Sequence, residues 1–372
     1  MRTVSDFLKS SNLYAVIFGG RGEEHRISCI SAANFISCAQ KNGFDILKIG
    51  ISPSGIWNLY SGDTGNISDG SWISDTDSLT PAYPVRLGGC SGFLIGGYTV
   101  PVRGAVPILH GDFGEDGRVQ GALECAGISF FGCDTVAGAV SSDKAYTKAV
   151  AEKQGIPTLP WIMLAGDLLC DAEVERAANA AEAELSYPIF IKPSRLGSSI
   201  GAGIADTRAT LVKLIKNAYR HGGSVIAERA LINKTELECA YFCADGREII
   251  APPGAIFANH GFYDFCAKYE NVCAKIFVRA DIPSDVSERI ISYTRTMKSA
   301  LGIRGSSRFD YFLSADGEIY FNEVNTIPGM TAESLYPAML EMSGVPFSEL
   351  IGLVLRESEK KTTHSIREGE GW

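Results

Sequence analysis

The feature that most constrains the fold is an Asp-Gly pair, Asp316-Gly317, between two runs of alternating apolar residues. Asp-Gly in this setting is a strong signal of a β-hairpin with a two-residue turn. Counting outward from such a turn places Asp310 opposite Glu323 and Arg308 opposite Asn325. Because two facing carboxylates repel each other and destabilise a sheet, this register predicts that a cation lies between them.

Asp310, Glu323 and Asn325 offer hard oxygen ligands on one face of this hairpin, the set expected for Mg²⁺ that bridges nucleotide phosphates. Arg308 on the same face could stabilise charge on a transferring phosphoryl group or an acyl phosphate. The alternative is a surface hairpin whose acids are merely solvated. The apolar neighbours of these residues in FNEVNTIPGM, residues 321–330, argue against that alternative.

Composition indicates a globular protein with a full core. The chain has 372 residues, 45% of them hydrophobic and 21% charged, which is enough for two or three domains. A net charge of −9 without a stripe of Lys or Arg argues against a nucleic-acid partner. No apolar run approaches the roughly 20 residues of a membrane span, and the N-terminal segment lacks the apolar core of a signal peptide. The ten cysteines show no C-x-x-C spacing, so we expect buried thiols in a cytoplasmic protein.

The order of the predicted elements indicates an α/β fold followed by α+β domains. Over about the first 135 residues, strands that alternate with helices favour a parallel sheet. The predicted strands are 14–18, 44–52, 105–109, 187–192 and 225–228, and the predicted helices are 28–41 and 139–154. Residues 60–80, rich in Gly, Ser, Asp and Thr, are predicted to be irregular. We therefore expect an N-terminal parallel α/β domain (1–137), a central subdomain (138–225) and a C-terminal α+β domain (226–372).

The loop GGRGEEH, residues 19–25, follows the first predicted strand and precedes a helix. It fails the dinucleotide-binding fingerprint because His25 occupies the third glycine position. A tight turn that presents the carboxylate of Glu23 or Glu24 at the helix N-terminus fits better. The alternative is an acid that only caps the helix dipole.

Two further loops follow predicted strands. HGDFGEDGRVQG, residues 110–121, carries His110 among glycines at a strand end, where open α/β sheets bind ligands. IKPSRLGSSIGAG, residues 191–203, joins Lys192 to small residues whose backbone N–H groups can surround phosphates, although it is not a Walker A motif. The segment YDFCAKYENV at 263–272 fits either a loop that closes over a site or an amphipathic strand.

Together these segments resemble, in order, the motifs of the D-alanine–D-alanine ligase family of the ATP-grasp superfamily. GGRGEEHRIS resembles the first substrate loop, HGDFGEDGRVQG the second, and SSDKAYTK the start of the central domain. IKPSRLGSSIG resembles the phosphate loop, YDFCAKY the mobile loop, and RFD with NEVNTIPGMT the metal and oxyanion segment. The resemblance covers nearly the whole chain and implies a three-domain ATP-grasp architecture.

For the first amino acid, the resemblance implies that Glu24 binds the amino group of a D-alanine and that His110 lies near its carboxylate. Ser198 would link Glu24 to Tyr269 by hydrogen bonds and so lock the mobile loop shut.

For the second amino acid, the resemblance implies that Lys268 and Ser334 receive the carboxylate. Arg308 and the backbone N–H of Gly329 would form the oxyanion site.

For the nucleotide, the resemblance implies that Lys144 and Lys192 hold the ATP phosphates, with the backbone of Ser198 and Ser199 closing over them. The ribose would bind Glu236, with Glu238 as a close competitor. The remaining implied contacts are Glu228, Leu231 and Phe262 at the adenine, and Asp310, Glu323 and Asn325 as ligands of two Mg²⁺ ions, with Mn²⁺ possible.

The implied reaction has two steps. The carboxylate of the first D-alanine attacks the γ-phosphate of ATP, and the amine of the second amino acid then attacks the resulting acyl phosphate. Mg²⁺ and the lysines offset the repulsion between anions, and a closed loop keeps water away. The resemblance also implies a homodimer through the N-terminal domain and a role in peptidoglycan precursor synthesis.

Several alternatives stay open on sequence. GISPSGIW and EEH resemble vancomycin-resistance ligases, which join D-alanine to D-serine or D-lactate. Tyr269 preceded by Lys268 argues against the depsipeptide type, and Leu335 favours D-alanine over D-serine because resistance-type enzymes often carry Arg there. A pocket that accommodates one extra hydroxyl discriminates weakly, so D-serine is not excluded. A non-catalytic nucleotide-binding protein would be expected to lose Arg308 or a metal ligand, and a peptide ligase of secondary metabolism is a third possibility.

Overall fold

A computed structural model describes residues 4–258, 274–331 and 334–360 of the chain. Within these ranges three β-sheets follow one another along the sequence. Each sheet has its own helices, and the loops at their facing edges carry those motifs that fall within the described residues.

The first sheet belongs to the N-terminal domain. Its strands are β1 (Leu13–Gly19), β2 (Asp45–Ile51), β3 (Trp57–Tyr60), β4 (Leu79–Leu87), β5 (Cys90–Ile95), β6 (Tyr98–Val100) and β7 (Ala105–Ile108), in the spatial order β6-β5-β4-β3-β2-β1-β7. Its helices are α1 (Val4–Leu8), α2 (His25–Lys41), α3 (Thr64–Asp69) and α4 (Arg118–Cys125). The predicted parallel pairing is confirmed for β2-β1-β7, while the antiparallel extension β3 to β6 was not predicted.

The segment at 60–80 is more ordered than its composition predicts. It forms α3 and two short 3₁₀ turns, and it buries Trp72 completely. The indole packs edge-on against Phe18, with ring centroids 5.1 Å apart. A Cβ at Gly50 would lie 2.5 Å from the Trp72 ring, so the glycine in β2 makes room for it. The prediction of an irregular excursion missed this anchor because a single Trp carries no periodic signal.

The second sheet has four antiparallel strands, β8 (Trp161–Leu164), β9 (Ile189–Pro193), β10 (Gly203–Ala205) and β11 (Val225–Arg229), in the order β10-β9-β11-β8. Helices α7 (Asp171–Glu184) and α8 (Arg208–Gly222) pack on it and close a separate apolar core. Because β11 lies wholly in this sheet, we propose that the boundary expected after residue 225 falls instead in the link 230–234.

Helices α5 (Thr135–Ser141) and α6 (Lys144–Lys153) precede the second sheet but pack elsewhere. Ala137 and Ala151 lie in the core of the third sheet. Asp143 caps α6, accepting a hydrogen bond from the backbone N–H of Ala145 at 3.0 Å. The single helix predicted at 139–154 is thus two helices, separated by this N-cap.

The third sheet contains β12 (Thr235–Ala244), β13 (Arg247–Ile250), β14 (Gly254–Ala258), β15 (Ala274–Phe277), β16 (Ser306–Leu313) and β17 (Ile319–Asn325). The order is β15-β14-β12-β16-β17, with β13 paired to the far end of β12. Helix α9 (Ser284–Ala300) covers one face through Ile290 and Met297, which are fully buried. The opposite face of β16 and β17 carries the predicted hairpin site.

The hairpin register agrees with the prediction at one end and differs at the other. Arg308 pairs with Asn325 and Asp310 with Glu323, as predicted, but the turn has three residues, since Ser314 N donates to Glu318 O at 2.9 Å. Gly317 occupies the left-handed position of this turn, with φ 86°. A β-bulge beyond Asp310 leaves Asn322 as an extra residue and restores the predicted pairing. The predicted two-residue turn is therefore wrong, and the bulge cancels the error.

Two C-terminal helices, α10 (Leu335–Met342) and α11 (Phe347–Ser358), join the first and third sheets. Their apolar residues form one core with β1, α2 and β12, which fixes the N-terminal domain against the third sheet. In the described ranges no single helix is long and apolar enough to cross a membrane. The pair α10–α11 passes that test only when its two arms, bent by 98°, are taken together.

The cysteines only partly follow the expectation of buried thiols. Cys29, Cys133 and Cys239 are buried free thiols, whereas Cys90, Cys125 and Cys170 are exposed. The eight cysteines of the described segments are all unpaired, as expected for a chain without a disulfide framework.

Candidate active site

Two cavities adjoin where the three sheets face one another. The substrate cavity, about 580 Å³, lies between the loops of the first sheet and the start of α10. The nucleotide cavity, about 510 Å³, lies between the second sheet and the β16–β17 hairpin. Their shared wall contains Lys144, Ser198, Arg308 and Glu323.

Apart from Glu23, the described candidates from sequence all line one or both cavities. The substrate cavity adds Glu24, His110, Asn325, Gly329, Ser334 and Leu335 to the shared wall. The nucleotide cavity adds Lys192, Ser199, Glu228, Leu231, Glu236 and Asp310. The candidates Phe262, Lys268 and Tyr269 lie outside the described residues, as does the choice between a closing loop and a strand at 263–272.

Glu24 faces the substrate cavity and does not act as a helix cap. It stands at the N-cap position of α2 without a side-chain cap bond, and its Oε1 accepts a hydrogen bond from Ser198 Oγ at 2.6 Å. A Cβ at Gly111, where φ is +69°, would lie 2.0 Å from Glu24 Oε2. The glycine of the second loop therefore leaves the space that the Glu24 carboxylate fills, and this side chain makes no hydrogen bond that caps α2.

His110 is held by hydrogen bonds at both ring nitrogens. Nδ1 lies 2.8 Å from the carbonyl oxygen of Ile327, and Nε2 lies 3.0 Å from Ser31 Oγ. Since a carbonyl only accepts, Nδ1 donates and Nε2 accepts from the hydroxyl in the neutral ring. Burial lowers the pKa of His110, although Glu24 opposes this effect, so the ring is neutral near pH 7. His110 thereby fixes the 327–330 segment to the first sheet.

Glu115 was missed from sequence and is a half-buried residue of the substrate cavity. Its Oε1 accepts from Gly111 N at 3.2 Å and its Oε2 from Thr326 N at 3.0 Å. Burial, with a contribution from Glu24, raises the pKa of Glu115 to about 8. The residue ties the second substrate loop to the end of β17. Its position inside HGDFGEDG was the sequence signal that could have found it.

The phosphate loop has the backbone shape of an anion-binding concavity. Ser198 and Ser199 both adopt left-handed conformations, with φ 52° and 58°, which non-glycine residues rarely do. Successive N–H groups in such turns point inward and bind anions. Lys144 Nζ donates to Leu196 O at 2.7 Å and lies 3.2 Å from Glu323 Oε2, so the loop and the hairpin meet at this lysine.

A buried ionic group, here called the basic cluster, stands at the back of the nucleotide cavity and consists of Lys148, Glu228 and Lys192. Glu228 Oε1 lies 2.8 Å from Lys192 Nζ, and its Oε2 lies 2.9 Å from Lys148 Nζ. Burial alone would raise the pKa of Glu228, but the two ammonium groups outweigh it and lower that pKa to about 2. Burial, helped by Lys148 and Lys144 and opposed by Glu228, lowers the pKa of Lys192 to about 8.

Lys192 also donates to Asn322 Oδ1 at 3.0 Å. Asn322 is the extra residue of the β17 bulge, and bulges commonly redirect a side chain next to an active site. Asn322 and Lys148 were both missed from sequence. A bulge has no signature in alternating residues, and a single lysine within a helix resembles a surface residue.

A second ionic group, here called the acidic cluster, comprises Arg308, Asp310, Glu238 and Glu323. Arg308 forms a two-bond fork with Asp310, with Nε to Oδ1 and Nη2 to Oδ2 both 2.7 Å, and its Nε lies 3.2 Å from Glu238 Oε1. Burial opposes ionisation of Arg308, but Asp310 and Glu238 raise its pKa well above the usual range. Asn325 Nδ2 donates to Asp310 Oδ2 at 3.1 Å.

The acidic cluster fits a magnesium ion that also binds phosphate. Within the described ranges no three Asp, Glu, His or Cys side chains converge as a complete metal cage. Asp310, Glu323 and Asn325 instead offer two carboxylates and one amide. Mg²⁺ characteristically binds through one or two carboxylates, with phosphate oxygens and water completing the octahedron. The residues present therefore suit an ion that arrives with a nucleotide.

Glu236 and Glu238 lie on the same face of β12 but have different partners. Glu238 is buried against Arg308, whereas Glu236 lies 3.3 Å from Lys234 Nζ and is 26% exposed. Both residues line the nucleotide cavity, but only the Glu236 side chain is appreciably exposed to solvent. This favours Glu236 as the ribose ligand.

Comparison with known proteins shows the family of the chain. Residues 14–133 match the family model "D-ala D-ala ligase N-terminus", and residues 150–356 match "D-ala D-ala ligase C-terminus". The fold and the paired cavities define an ATP-dependent ligase of ATP-grasp architecture. The chain belongs to the D-alanine–D-alanine ligase family.

The similar proteins include ligases named for D-alanine and one named for D-serine as the second amino acid. The chain is 34% identical to the D-alanine–D-alanine ligase of Ruminiclostridium cellulolyticum, over 96% of this chain and 98% of the relative. It is 35% identical to the VanG D-Ala:D-Ser ligase of Enterococcus faecalis, with a TM-score of 0.84 and coverage of 94% and 100%. It is also 28% identical to D-alanyl-alanine synthetase A of Vibrio cholerae, with a TM-score of 0.79 and coverage of 94% and 98%.

Proposed function

We propose that this protein uses ATP to join two D-alanine molecules into D-Ala–D-Ala through a D-alanyl phosphate. The observation that carries the proposal is the shared wall of the two cavities, where Lys144, Arg308 and Glu323 stand between the substrate cavity and the nucleotide cavity with its lysines. A carboxylate on one side can there meet a γ-phosphate on the other. The names of the curated relatives support D-alanine as the amino acid.

In the first step, Glu24 binds the ammonium group of the first D-alanine, while Ser198 holds the Glu24 carboxylate in place. His110 lies near the substrate carboxylate. Lys144, Lys192 and the backbone of Ser198 and Ser199 bind the ATP phosphates, and their charge offsets the repulsion between two anions. Glu228, Leu231 and Phe262 frame the adenine, and Glu236 binds the ribose.

Asp310, Glu323 and Asn325 would hold the Mg²⁺ ions that accompany ATP. When bound, the ions would neutralise negative charge on the phosphates and hold them in register with the carboxylate. The fork between Arg308 and Asp310 keeps the guanidinium at the wall between the cavities. Arg308 can therefore contact both the transferred phosphoryl group and the acyl oxygen.

In the second step, the amine of the second D-alanine attacks the acyl carbon, and Arg308 with the Gly329 N–H stabilises the oxyanion. A Cβ at residue 329 would lie 2.8 Å from Ser334 Oγ, so a glycine keeps this N–H close to the carboxylate-binding serine. Lys268 and Ser334 receive the substrate carboxylate, and Tyr269 completes the hydrogen-bond chain from Glu24. Leu335 lines the pocket for the second side chain.

D-serine is the second candidate for this position, and the similarity to VanG favours it. We further propose that the enzyme is a cytoplasmic homodimer that supplies peptidoglycan precursors, with no nucleic-acid or membrane partner.

An amino-acid panel in both substrate positions, with products identified by mass, tests the proposal. We expect robust ATP-dependent formation of D-Ala–D-Ala from D-alanine alone. Turnover only after D-serine is added would replace this assignment by D-Ala–D-Ser ligation.

A further inference from the structure

Lys148 is a fully buried charge that the proposed reaction leaves without a role. It lies on α6, its side chain has no exposed surface, and its Nζ is 2.9 Å from Glu228 Oε2. Burying an ammonium group is costly unless a paired charge compensates for it. A lysine at such a position therefore invites a functional explanation.

The geometry divides the basic cluster into a front and a back lysine. Lys192 lines the nucleotide cavity and contacts both Glu228 and Asn322. Lys148 does not line that cavity and contacts the opposite oxygen of Glu228. Glu228 thus holds one lysine that can reach a ligand and one that cannot.

This arrangement matters when Lys192 engages a phosphate. An ammonium group that turns towards a phosphate weakens its pair with Glu228, and a buried carboxylate left without a partner is strongly destabilising. With Lys148 on the other oxygen, Glu228 keeps a partner throughout. The cluster also has one positive charge more than negative, so it presents net positive charge to the cavity.

We propose that Lys148 is a positioning residue for nucleotide binding, which neutralises Glu228 from behind and so releases Lys192 to bind the triphosphate. Without Lys148, Glu228 would compete with the phosphates for Lys192. The residue acts through Lys192 and touches neither substrate nor the reacting atoms. Because this proposal rests on the proposed placement of phosphates at Lys192, its test includes that lysine.

The experiment compares the dissociation constants of ATP and adenosine by calorimetry. Their ratio reports the phosphate contribution and cancels changes at the adenine. The full-length variants are Lys148→Met, Lys148→Met with Glu228→Gln, Lys192→Met, and the matched control Lys153→Met, an exposed lysine on the same helix. Thermal unfolding of each variant accompanies the titrations.

We expect Lys148→Met to reduce the preference for ATP over adenosine about tenfold, the size expected for one unit charge at several ångströms. Glu228→Gln in that background should restore at least half of the loss on a logarithmic scale, because Lys192 is then free. Lys153→Met should leave the preference unchanged. A merely structural role of Lys148 would lower stability without this pattern of loss and recovery.

Three results separate the possible failures. An unchanged preference in Lys148→Met, or a further loss on adding Glu228→Gln, overturns the role of Lys148. An unchanged preference in Lys192→Met overturns the placement of the phosphates itself. If Lys148→Met does not fold, Glu228→Gln alone decides, because the proposal expects a stronger preference for ATP, and a weaker one contradicts it.

Discussion

The basic and acidic clusters contribute to the same nucleotide cavity but have opposite charge balance. In the basic cluster two lysines surround one acid, whereas in the acidic cluster three acids surround one arginine. The excess positive charge of the basic cluster favours binding of an anion, and the excess negative charge of the acidic cluster favours binding of a further cation. A nucleoside triphosphate with its metal ion satisfies both clusters at once. The difference between the two clusters therefore supports the assignment of ATP and Mg²⁺ to this cavity.

The largest expected effect comes from breaking the fork in the acidic cluster. Arg308→Lys replaces two parallel hydrogen bonds to Asp310 by one point charge, which cannot also reach an acyl oxygen in the same geometry. We expect kcat for dipeptide formation to fall about 100- to 1000-fold, the usual cost of losing an oxyanion donor. Arg289→Lys, 3.9 Å from Glu318 at the surface, is the control. If kcat falls no further in Arg308→Lys than in the control, Arg308 takes no part in the reaction.

The next effect tests the demand of the acidic cluster for a cation. Glu323→Gln removes one of the two carboxylate ligands and should raise the Mg²⁺ concentration that gives half-maximal activity by about tenfold or more. Titration of the rate with Mg²⁺ at saturating ATP measures this shift. An unchanged Mg²⁺ requirement would mean that the facing carboxylates do not hold the metal.

The basic cluster should give a pH dependence that the acidic one lacks. Because the pKa of Lys192 is lowered to about 8, its charge is present below that pH and is lost as the pH rises through it. The affinity for ATP should therefore weaken between pH 7.5 and 9.5, by at most about tenfold per pH unit, while that for adenosine stays level.

The free energy of unfolding should rise with pH through the titration of Lys192, whereas the affinity for ATP falls. Its folded pKa lies below the ordinary lysine value, so between the two the folded protein binds fewer protons than the unfolded chain. Its contribution to stability thus rises with pH over that window. Lys192→Met should abolish the change with pH of both the ATP affinity and the free energy of unfolding. If either change persists in this variant, it comes from other groups.

The smallest effect concerns the bulge. Asn322→Ala removes the hydrogen bond from Lys192 but leaves its pair with Glu228. We expect KM for ATP to rise about 3- to 10-fold, in line with a net contribution of about 1 kcal/mol from one hydrogen bond, with kcat little changed. Asn217→Ala, on α8 and outside the lining of both cavities, is the control. A fall in kcat without a change in KM would place Asn322 in the chemical step instead.

Sequence alone predicted the facing carboxylates of the acidic cluster but not the association of Lys148 with Glu228 in the basic cluster, for a physical reason. Asp310 and Glu323 are brought together by a local hairpin, so period-2 counting from Asp316-Gly317 reaches them. Lys148 and Glu228 meet only because α6, which packs against the third sheet, brings Lys148 close to β11 of the second sheet, a long-range contact that no local spacing records. The motif order supplied the other predicted site residues through family resemblance, but not Glu115, Asn322 or Lys148.

The hairpin also shows how a correct pairing can rest on a wrong turn. The three-residue turn shifts the register by one, and the bulge at Asn322 shifts it back. The strands β3 to β6 and the burial of Trp72 escaped prediction because strands without strict alternation of apolar and polar residues, and a single aromatic residue, give weak periodic signals.

The central claim is that a substrate carboxylate attacks the γ-phosphate across the wall between the two cavities. D-alanine labelled with ¹⁸O in its carboxylate tests this directly, because the attacking oxygen leaves with the phosphate in the second step. Mass spectrometry should find one labelled oxygen in the released phosphate for each dipeptide formed. Dipeptide formed with unlabelled phosphate would contradict the acyl phosphate and, with it, the role assigned to the shared wall.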